Sequence, residues 1–377
     1  MAARIIPVRS HAELRRFIEI PYAVHRGDAN WIAPLRMEQA QAFSPKHNEF
    51  MRRADTGLFI AESGGVDAGR ISAQADPVAA ASGMADVGYF GCLCANDDDE
   101  VFDGLLLAAE KFLRRRGMTR VRGPFSMSVN EQTGLLVKGF DTPPMLMMSH
   151  DRPYIAAQLE RHGYAKERDL FAYLVDLLAP LPRPVRAMLF RPPAGNVKLR
   201  RLNLSDYDHE IRTLVDIFND AWRNNWGFVP MTPAETSALG RHLRLLLDPR
   251  LVRFAEVDGE AAGFIVVLPN LNEAIRDLGG NLLPFGWAKL LWRLRVRGLK
   301  TARVPLMGIR QSLASAITGA ALPLHLIGAV WQAAADMGIR HVELSWILED
   351  NLAMRHMLER LGAPAYKTYR VYGKAIT

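Results

Sequence analysis

The chain has 377 residues, 49% hydrophobic and 23% charged, with 47 Lys and Arg against 40 Asp and Glu for a net charge of +7. This length fits two domains better than one, and the composition excludes a long disordered, collagen-like or disulfide-dense protein. The positive balance suits an acidic partner (nucleic acid, an anionic membrane face, a phosphorylated cofactor or an acidic carrier protein) and chooses none of them.

The first residues lack a long apolar core, so no signal peptide is expected. No run approaches 18 apolar residues, so no transmembrane helix is expected. Residues 58–71 read as apolar run, Gly-containing turn, apolar run, the pattern of a β-hairpin. Cys92 and Cys94 sit two apart on a predicted strand, which places them on one face and disfavours a mutual disulfide. With no second Cys/His pair at zinc spacing, they read as small buried residues in a reducing compartment, and no metal is expected. A helix follows at about 99–116. Asp97, Asp98, Asp99 and Glu100 complement its positive end, and Arg114, Arg115 and Arg116 its negative end.

Clustered prolines mark a connector at 178–196. Beyond it, residues 252–265 repeat the hairpin pattern. The stretch 281–300 carries Trp287, Leu290, Leu291 and Leu294 at helical spacing among Lys289, Arg293, Arg295, Arg297 and Lys300. A basic helix with two tryptophans, Trp287 and Trp292, reads as an interfacial anchor, a lid or an ordinary amphipathic insert. A helix at about 322–337 presents Leu324, Ile327, Trp331, Ala334 and Ala335 as a core face.

The two halves match each other. Ala61, Glu62 and Gly69 correspond to Ala255, Glu256 and Gly263 at a constant offset of 194. Gly117 corresponds to Gly338, each closing a helix before a strand, and Gly163 to Gly362, each before a Tyr-bearing strand. Three matches in one order indicate an internal duplication. The expected domains are 1–177 and 197–377, with a linker at 178–196 and an insert at 271–303 in the second.

The second half ends on a strand, then Asn351, with Met354 three residues on and Gly362 eleven on. With the hairpin and the Gly-capped helix before it, this order resembles the GNAT N-acyltransferase superfamily. The resemblance implies an α/β fold with a mixed sheet, as tandem GNAT-like acyl-CoA N-acyltransferase domains. The Tyr that often protonates the leaving thiolate in that superfamily is replaced by Leu358. Nearly the whole chain also resembles a bacterial family of two-domain GNAT-like proteins, through residues 27–34, 123–131, 134–136, 139–144, 283–287 and 343–351. Bacterial ceramide synthases, which N-acylate a sphingoid-type amine, are similar to this architecture.

By that resemblance a pantetheine arm would lie along 304–310, at Met307, Gly308, Ile309 and Arg310. Its phosphates would meet the following loop and helix start, at Ser315, Gly319 and Ala320, with Asn351 nearby. The usual Gly-x-Gly pair is absent there, so a carrier protein's single phosphate is as good a fit as coenzyme A. Trp346 would face the acceptor. Acid/base candidates are Glu349, at a strand end, Glu131 and Tyr369, the last as a substitute for the missing acid at Leu358. Asn130, Asn270, Asn272 and Glu273 follow predicted strands and could bind substrate. Trp287, Trp292 and Arg293 would contact a membrane. His150, His325, His341 and His356 are scattered and carry no assigned role. No G-x-S-x-G motif is present, which favours direct transfer over an acyl-enzyme.

The function expected is transfer of a long acyl chain from acyl-CoA or an acyl carrier protein thioester to the amine of a lipid such as a sphingoid base. Alternatives are acetyl-CoA-dependent N-acetylation of a small molecule or protein, transfer from aminoacyl-tRNA, and a non-enzymatic binding module. No aromatic-basic interleaving points to nucleic acid. The acidic run at 95–99 should repel phosphate, so the donor site is expected in the second domain, with the first as scaffold and acceptor cleft. The expected location is cytoplasmic or peripheral at the inner face of the cytoplasmic membrane.

Overall fold

Both expected hairpins form, and each is closed by two residues of positive φ, Gly64 and Gly65 in the first and Asp258 and Gly259 in the second. Such turns match the right-handed twist of the strands they join. The computed structural model describes residues 3–193, 195–244, 247–314 and 317–376. The chain divides into two units: Met1–Phe171 with Ile275–Gly286 and Lys367–Thr377, and Ala172–Ala274 with Trp287–Tyr366.

In chain order the first unit contains β1 (Arg4–Pro7), α1 (His11–Val24), α2 (Arg36–Ala42), α3 (Glu49–Arg53), β2 (Asp55–Ser63), β3 (Val66–Ala75), α4 (Pro77–Ala79) and β4 (Val87–Ala95). It continues with α5 (Asp99–Arg114), β5 (Arg120–Gly123), β6 (Phe125–Ser126), β7 (Gln132–Thr133), β8 (Leu135–Lys138) and α6 (Tyr154–Arg161). Strand β9 (Ala165–Asp176) begins in it and ends in the second unit. The second unit contains α7 (Arg183–Leu189), β10 (Val197–Arg201), α8 (Tyr207–Trp222), α9 (Pro233–Leu243), β11 (Val252–Val257), β12 (Glu260–Pro269) and α10 (Leu271–Ile275), whose last residue counts with the first. After these come α11 (Gly286–Trp292), whose first residue counts with the first unit, β13 (Thr301–Ile309), α12 (Gln311–Ala314), α13 (Ile317–Asp336), β14 (His341–Leu348) and α14 (Leu352–Arg360). Strand β15 (Ala365–Ala375) starts in the second unit and ends in the first.

In the first unit the strand order is β1-β2-β3-β4-β5-β15, with β8 also on β15. In the second it is β14-β13-β12-β11-β10. Each contains one parallel pair, β4 with β5 and β13 with β14, and the other strand pairs named here are antiparallel. This is the mixed α/β architecture expected. The duplication extends to register. Ile5 pairs Ala61 and Ala61 pairs Gly69, while Leu199 pairs Ala255 and Ala255 pairs Gly263, and a bulge follows Ala61 and Ala255 alike.

Local chemistry sets the helices. Ser10 accepts from the Glu13 N–H and Glu13 accepts from the Ser10 N–H, a capping box that starts α1. Asp98 accepts from the Glu100 and Val101 N–H groups and starts α5. Val101, Phe102, Leu105, Leu106, Ala109 and Leu113 form the buried face of α5 against Ile71, Phe90 and Val121. Helix α13 begins at Ile317, earlier than the periodicity predicts. Cys92 and Cys94 are free and buried with Phe17, Ile20 and Met127, and burial pushes both thiols up, Cys94 to about 12.

The two parallel pairs part in the same way but end differently. β4 pairs Val87, Gly88 and Tyr89 with Arg120, Val121 and Arg122 of β5 and then continues without it. The short β6 enters beside Gly91: a Cβ there would lie 1.7 Å from the Phe125 carbonyl oxygen, and the Cys92 N–H donates to Ser126 Oγ at 3.3 Å. The first unit thus fills its own strand opening, and only glycine fits at 91. Gly91→Ala is expected to cost at least about 2 kcal/mol, lowering the urea midpoint; an unchanged midpoint would contradict the close approach.

Candidate functional site

In the second unit, Thr301, Ala302, Arg303 and Val304 of β13 pair with His341, Val342, Glu343 and Leu344 of β14. The pairing stops there, although β13 runs on to Ile309 and β14 to Leu348. Buried backbone polar groups require partners. Past the last rung, the Met307 carbonyl accepts from Trp222 Nε1 of α8 at 3.1 Å. Gly308 lies against Ala221 and Phe264, where a Cβ would come within 3.1 Å of each.

Alternation gives the last rungs two different faces. On one, Val304, Leu344 and Leu358 line a small apolar cavity of about 20 Å³ with Ile327 and Trp331 of α13. Leu358 is fully buried there, so this position looks into the core. On the other, Arg303 and Glu343 are buried 3.6 Å apart. Ser345 Oγ donates to Glu343 at 2.6 Å and accepts from Arg303 Nε at 2.8 Å, and the Tyr366 hydroxyl donates to the second Glu343 oxygen. The Arg303 guanidinium also lies over the Trp346 ring, 4.5 Å from its centroid. The Trp346 Nε1 is enclosed, with no hydrogen-bond partner among the described residues. Removing either partner of such a buried ion pair leaves an uncompensated charge at a cost of roughly 3–5 kcal/mol.

The residues after β13 are already engaged. Arg310 donates to the Ala261 carbonyl at 2.8 Å and to Asp216 at 2.7 Å, and the Gln311 N–H donates to Asp220 at 2.8 Å. Ser315 lies outside the described residues; Gly319 and Ala320 belong to the first turn of α13. The Asn351 side chain accepts from the Met354 N–H at 3.2 Å and caps α14.

The other predicted residues are distributed between the units. Glu349 follows β14, and its carbonyl accepts from Arg355. Tyr369 is fully buried in β15 opposite Leu136, in the first unit. Asn130 and Glu131 also belong to the first unit, in a turn on Ser128. Asn270 bonds Thr301 Oγ1, and its own side-chain oxygen accepts from the Asn272 N–H. The Glu273 carboxylate accepts from the N–H groups of Lys300 and Thr301 and from the Thr301 hydroxyl, tying α10 to the start of β13. Trp287 and Trp292 are exposed, whereas Arg293 donates to the Ala274 carbonyl at 2.6 Å. Among the described residues no helix is long and apolar enough to cross a membrane, and no cluster of three His, Cys, Asp or Glu could hold a metal.

One constellation escaped the sequence. Asp28, in the first unit, accepts through one oxygen from the N–H groups of Asn30 and Trp31, at 3.0 and 3.3 Å. Its other oxygen accepts from His150 Nε2 at 3.2 Å and from Arg152 at 3.4 Å, and lies 3.8 Å from His25 Nδ1. His25 stacks on Trp31, centroids 4.9 Å apart. Burial pushes His25 down to about 3 and also lowers His150, against the pull of Asp28. Burial pulls Asp28 upward, but the Asn30 N–H and His150 outweigh it and hold the carboxyl below its usual value. Beside it, burial raises Asp151 to about 6, where it accepts from the Leu136 N–H and Ser149 Oγ. The available signal was Asp28 within the 27–34 segment; nothing in the sequence ties it to His150.

No family model matches the chain. It is 50% identical over 374 residues to the bacterial ceramide synthase of Caulobacter vibrioides, covering 99% of this chain and 97% of that one. It is 42% identical over 364 residues to the protein YghO of Escherichia coli, covering 97% and 93%. The fold is similar to a tandem GNAT protein from the clavulanic acid biosynthesis pathway, at a TM-score of 0.56 and 12% identity over 100% of this chain and 99% of that one. It is also similar to a GCN5-related N-acetyltransferase from Sphaerobacter thermophilus, at 0.53 and 14% over 99% and 96%. The parted strands, the duplicated hairpins and these relationships agree: the chain is an N-acyltransferase of tandem GNAT fold and belongs to the family of the Caulobacter bacterial ceramide synthase.

Proposed function

We propose that this N-acyltransferase moves a long acyl chain from a thioester to the amine of a lipid-like acceptor such as a sphingoid base. The observation that carries the reading is the parting of β13 and β14 after Val304 and Leu344. An amide-bearing pantetheine arm has the groups to pair with backbone that has lost its strand partner, and the stretch the resemblance assigns to it, 304–310, begins at the last paired residue. The flanking residues, Leu306, Met307 and Ile309 on one strand and Trp346, Ile347 and Leu348 on the other, are apolar, which suits an acyl chain. The kinship with a ceramide synthase supports a sphingoid acceptor.

The donor's carrier is either coenzyme A or an acyl carrier protein. Asp220 and Asp216 already engage the Gln311 N–H and Arg310, leaving fewer groups for a pyrophosphate than for a single phosphate. Peripheral membrane contact rests on the segment around α11. Leu283, Phe285, Trp287, Leu291, Trp292 and Val296 are all exposed there, beside Lys289, Arg295 and Arg297. Exposed tryptophans with flanking cations are the chemistry of an anionic bilayer surface.

Purified protein given acetyl- and palmitoyl-thioesters, on coenzyme A and on carrier protein, with a sphingoid amine and simple amines, is expected to yield a long-chain amide by mass spectrometry. Product from acetyl donors alone would move the assignment to a small-molecule acetyltransferase. Co-sedimentation with vesicles should rise with anionic lipid and fall several-fold in a Trp287→Ser, Trp292→Ser double variant; unchanged binding would remove the membrane contact.

A further inference from the structure

We infer that a groove at the edge of the first unit's sheet binds an anionic phospholipid, its chains on an apolar floor and its phosphate against Arg9, Lys111 and Arg115. The inference lies wholly within the first unit and is independent of the acyl-transfer reading above.

The groove exists because β1 is short. β1 covers β2 only from Arg4, opposite Glu62, to Pro7, opposite Phe59. The Val8 N–H makes one more bond, to the Leu58 carbonyl at 2.9 Å, and the chain then turns into α1. β2 begins at Asp55, so residues 55–57 have no strand on that side among the described residues. Beside this open edge lies a cavity of about 1330 Å³. Clefts for drug-sized ligands hold roughly 300–1,000 Å³, so a larger, two-chained molecule has room here.

The floor is apolar. Ile5, Leu14, Met51, Leu58, Phe59 and Phe112 line it and are half-buried, and the exposed Met37 stands at its rim. Gly57 shapes it: a Cβ there would lie 2.8 Å from the Phe112 ring, so glycine lets that ring rest on the strand. Phe59 meets Phe112 edge-on, centroids 6.0 Å apart. Such side chains, left partly in water by the fold, gain by covering with hydrocarbon.

The rim is cationic. Among the described residues no Asp or Glu lines the groove. The nearest carboxylates are occupied: Glu13 accepts from the N–H groups of Arg9 and Ser10, and Asp55 accepts from Arg116. Arg116 also lies over the Phe112 ring, 3.4 Å from its centroid, and serves as wall. Arg9, Lys111 and Arg115 line the groove, are exposed and form no ion pair among the described residues. Lys111 and Arg115, the C-cap residue, stand one turn apart at the end of α5, on the face that presents Ala108 and Phe112 to the groove. Their whole charges outweigh the roughly half negative charge of the helix end.

These features choose the occupant. An alkylammonium would meet like charge, which excludes an amine acceptor from this groove. An added peptide strand would find only three residues of open edge, roughly 10 Å, against the five or six of a typical strand. An anionic phospholipid satisfies both halves, with hydrocarbon on the floor and phosphate oxygens accepting from the guanidinium and ammonium groups.

The test is calorimetry with dihexanoyl phosphatidylglycerol, kept below its micelle-forming concentration, against dihexanoyl phosphatidylcholine. A monomeric probe offers no bilayer, so the reading is separate from any contact made by α11. One site is expected, with the anionic lipid bound about tenfold or more tighter and its affinity falling as salt rises. The Lys111→Glu, Arg115→Glu double variant, altered only at exposed positions, should abolish that preference. Ala108→Trp, which fills the groove, should weaken both lipids; if it does not fold, the charge-reversed variant decides. Equal affinity for the two lipids, no binding by the wild type, or a preference that survives charge reversal would overturn the inference. Octanoate bound as tightly as the phospholipid would overturn it in favour of a fatty carboxylate, and an alternating Glu-Leu peptide bound in place of lipid would overturn it in favour of an acidic protein strand.

Discussion

Two parallel strands can separate only where other groups take over the backbone hydrogen bonds they give up. Both units meet this constraint. β4 and β5 stay together through Tyr89 and Arg122, β13 and β14 through Val304 and Leu344, and in each case a strand continues beyond the last rung. The first unit resolves it with its own chain, placing Phe125 and Ser126 against Gly91. The second places the Trp222 indole N–H on the Met307 carbonyl, and no strand of the described residues pairs with β13 on that side after Val304. The same duplicated hairpin and crossover therefore produce one filled opening and one that a ligand's amides could complete.

The last rungs of the second opening are chemically divided. Val304 and Leu344 point to an apolar layer under α13, while Arg303 and Glu343 point to a buried polar layer with Ser345 and Tyr366. The ion pair locks two neighbouring strands at the point where they begin to diverge. A buried pair of this kind is weak evidence for net stability but strongly penalises loss of one partner.

Much of this was legible in the sequence. The hairpins and the duplication showed because Ala61, Glu62 and Gly69 recur at a fixed offset, and the structure repeats their register and bulge as well as their identity. The helix after Asp98 showed because capping chemistry is local. What failed to show was non-local. Lys367–Thr377 counts with the first unit because β15 pairs with β5 and β8, a choice of partner that no local pattern encodes. Asn270 and Glu273 read in the sequence as polar residues after a strand that could bind substrate; that they bond Thr301, at the start of β13, depends on a contact about 30 residues away. His150 looked scattered because its partner Asp28 is 122 residues away.

The opening between β13 and β14 is the place proposed for the thioester's pantetheine arm. Hydrogen exchange with and without a non-hydrolysable palmitoyl-coenzyme A thioether tests it directly, with calorimetry confirming that the ligand is bound. Slowed exchange is expected at the amides of 306–309 and 345–348, with 90–95 in the filled opening unchanged. Protection at 90–95, or a bound ligand that leaves 306–309 unprotected, would contradict it.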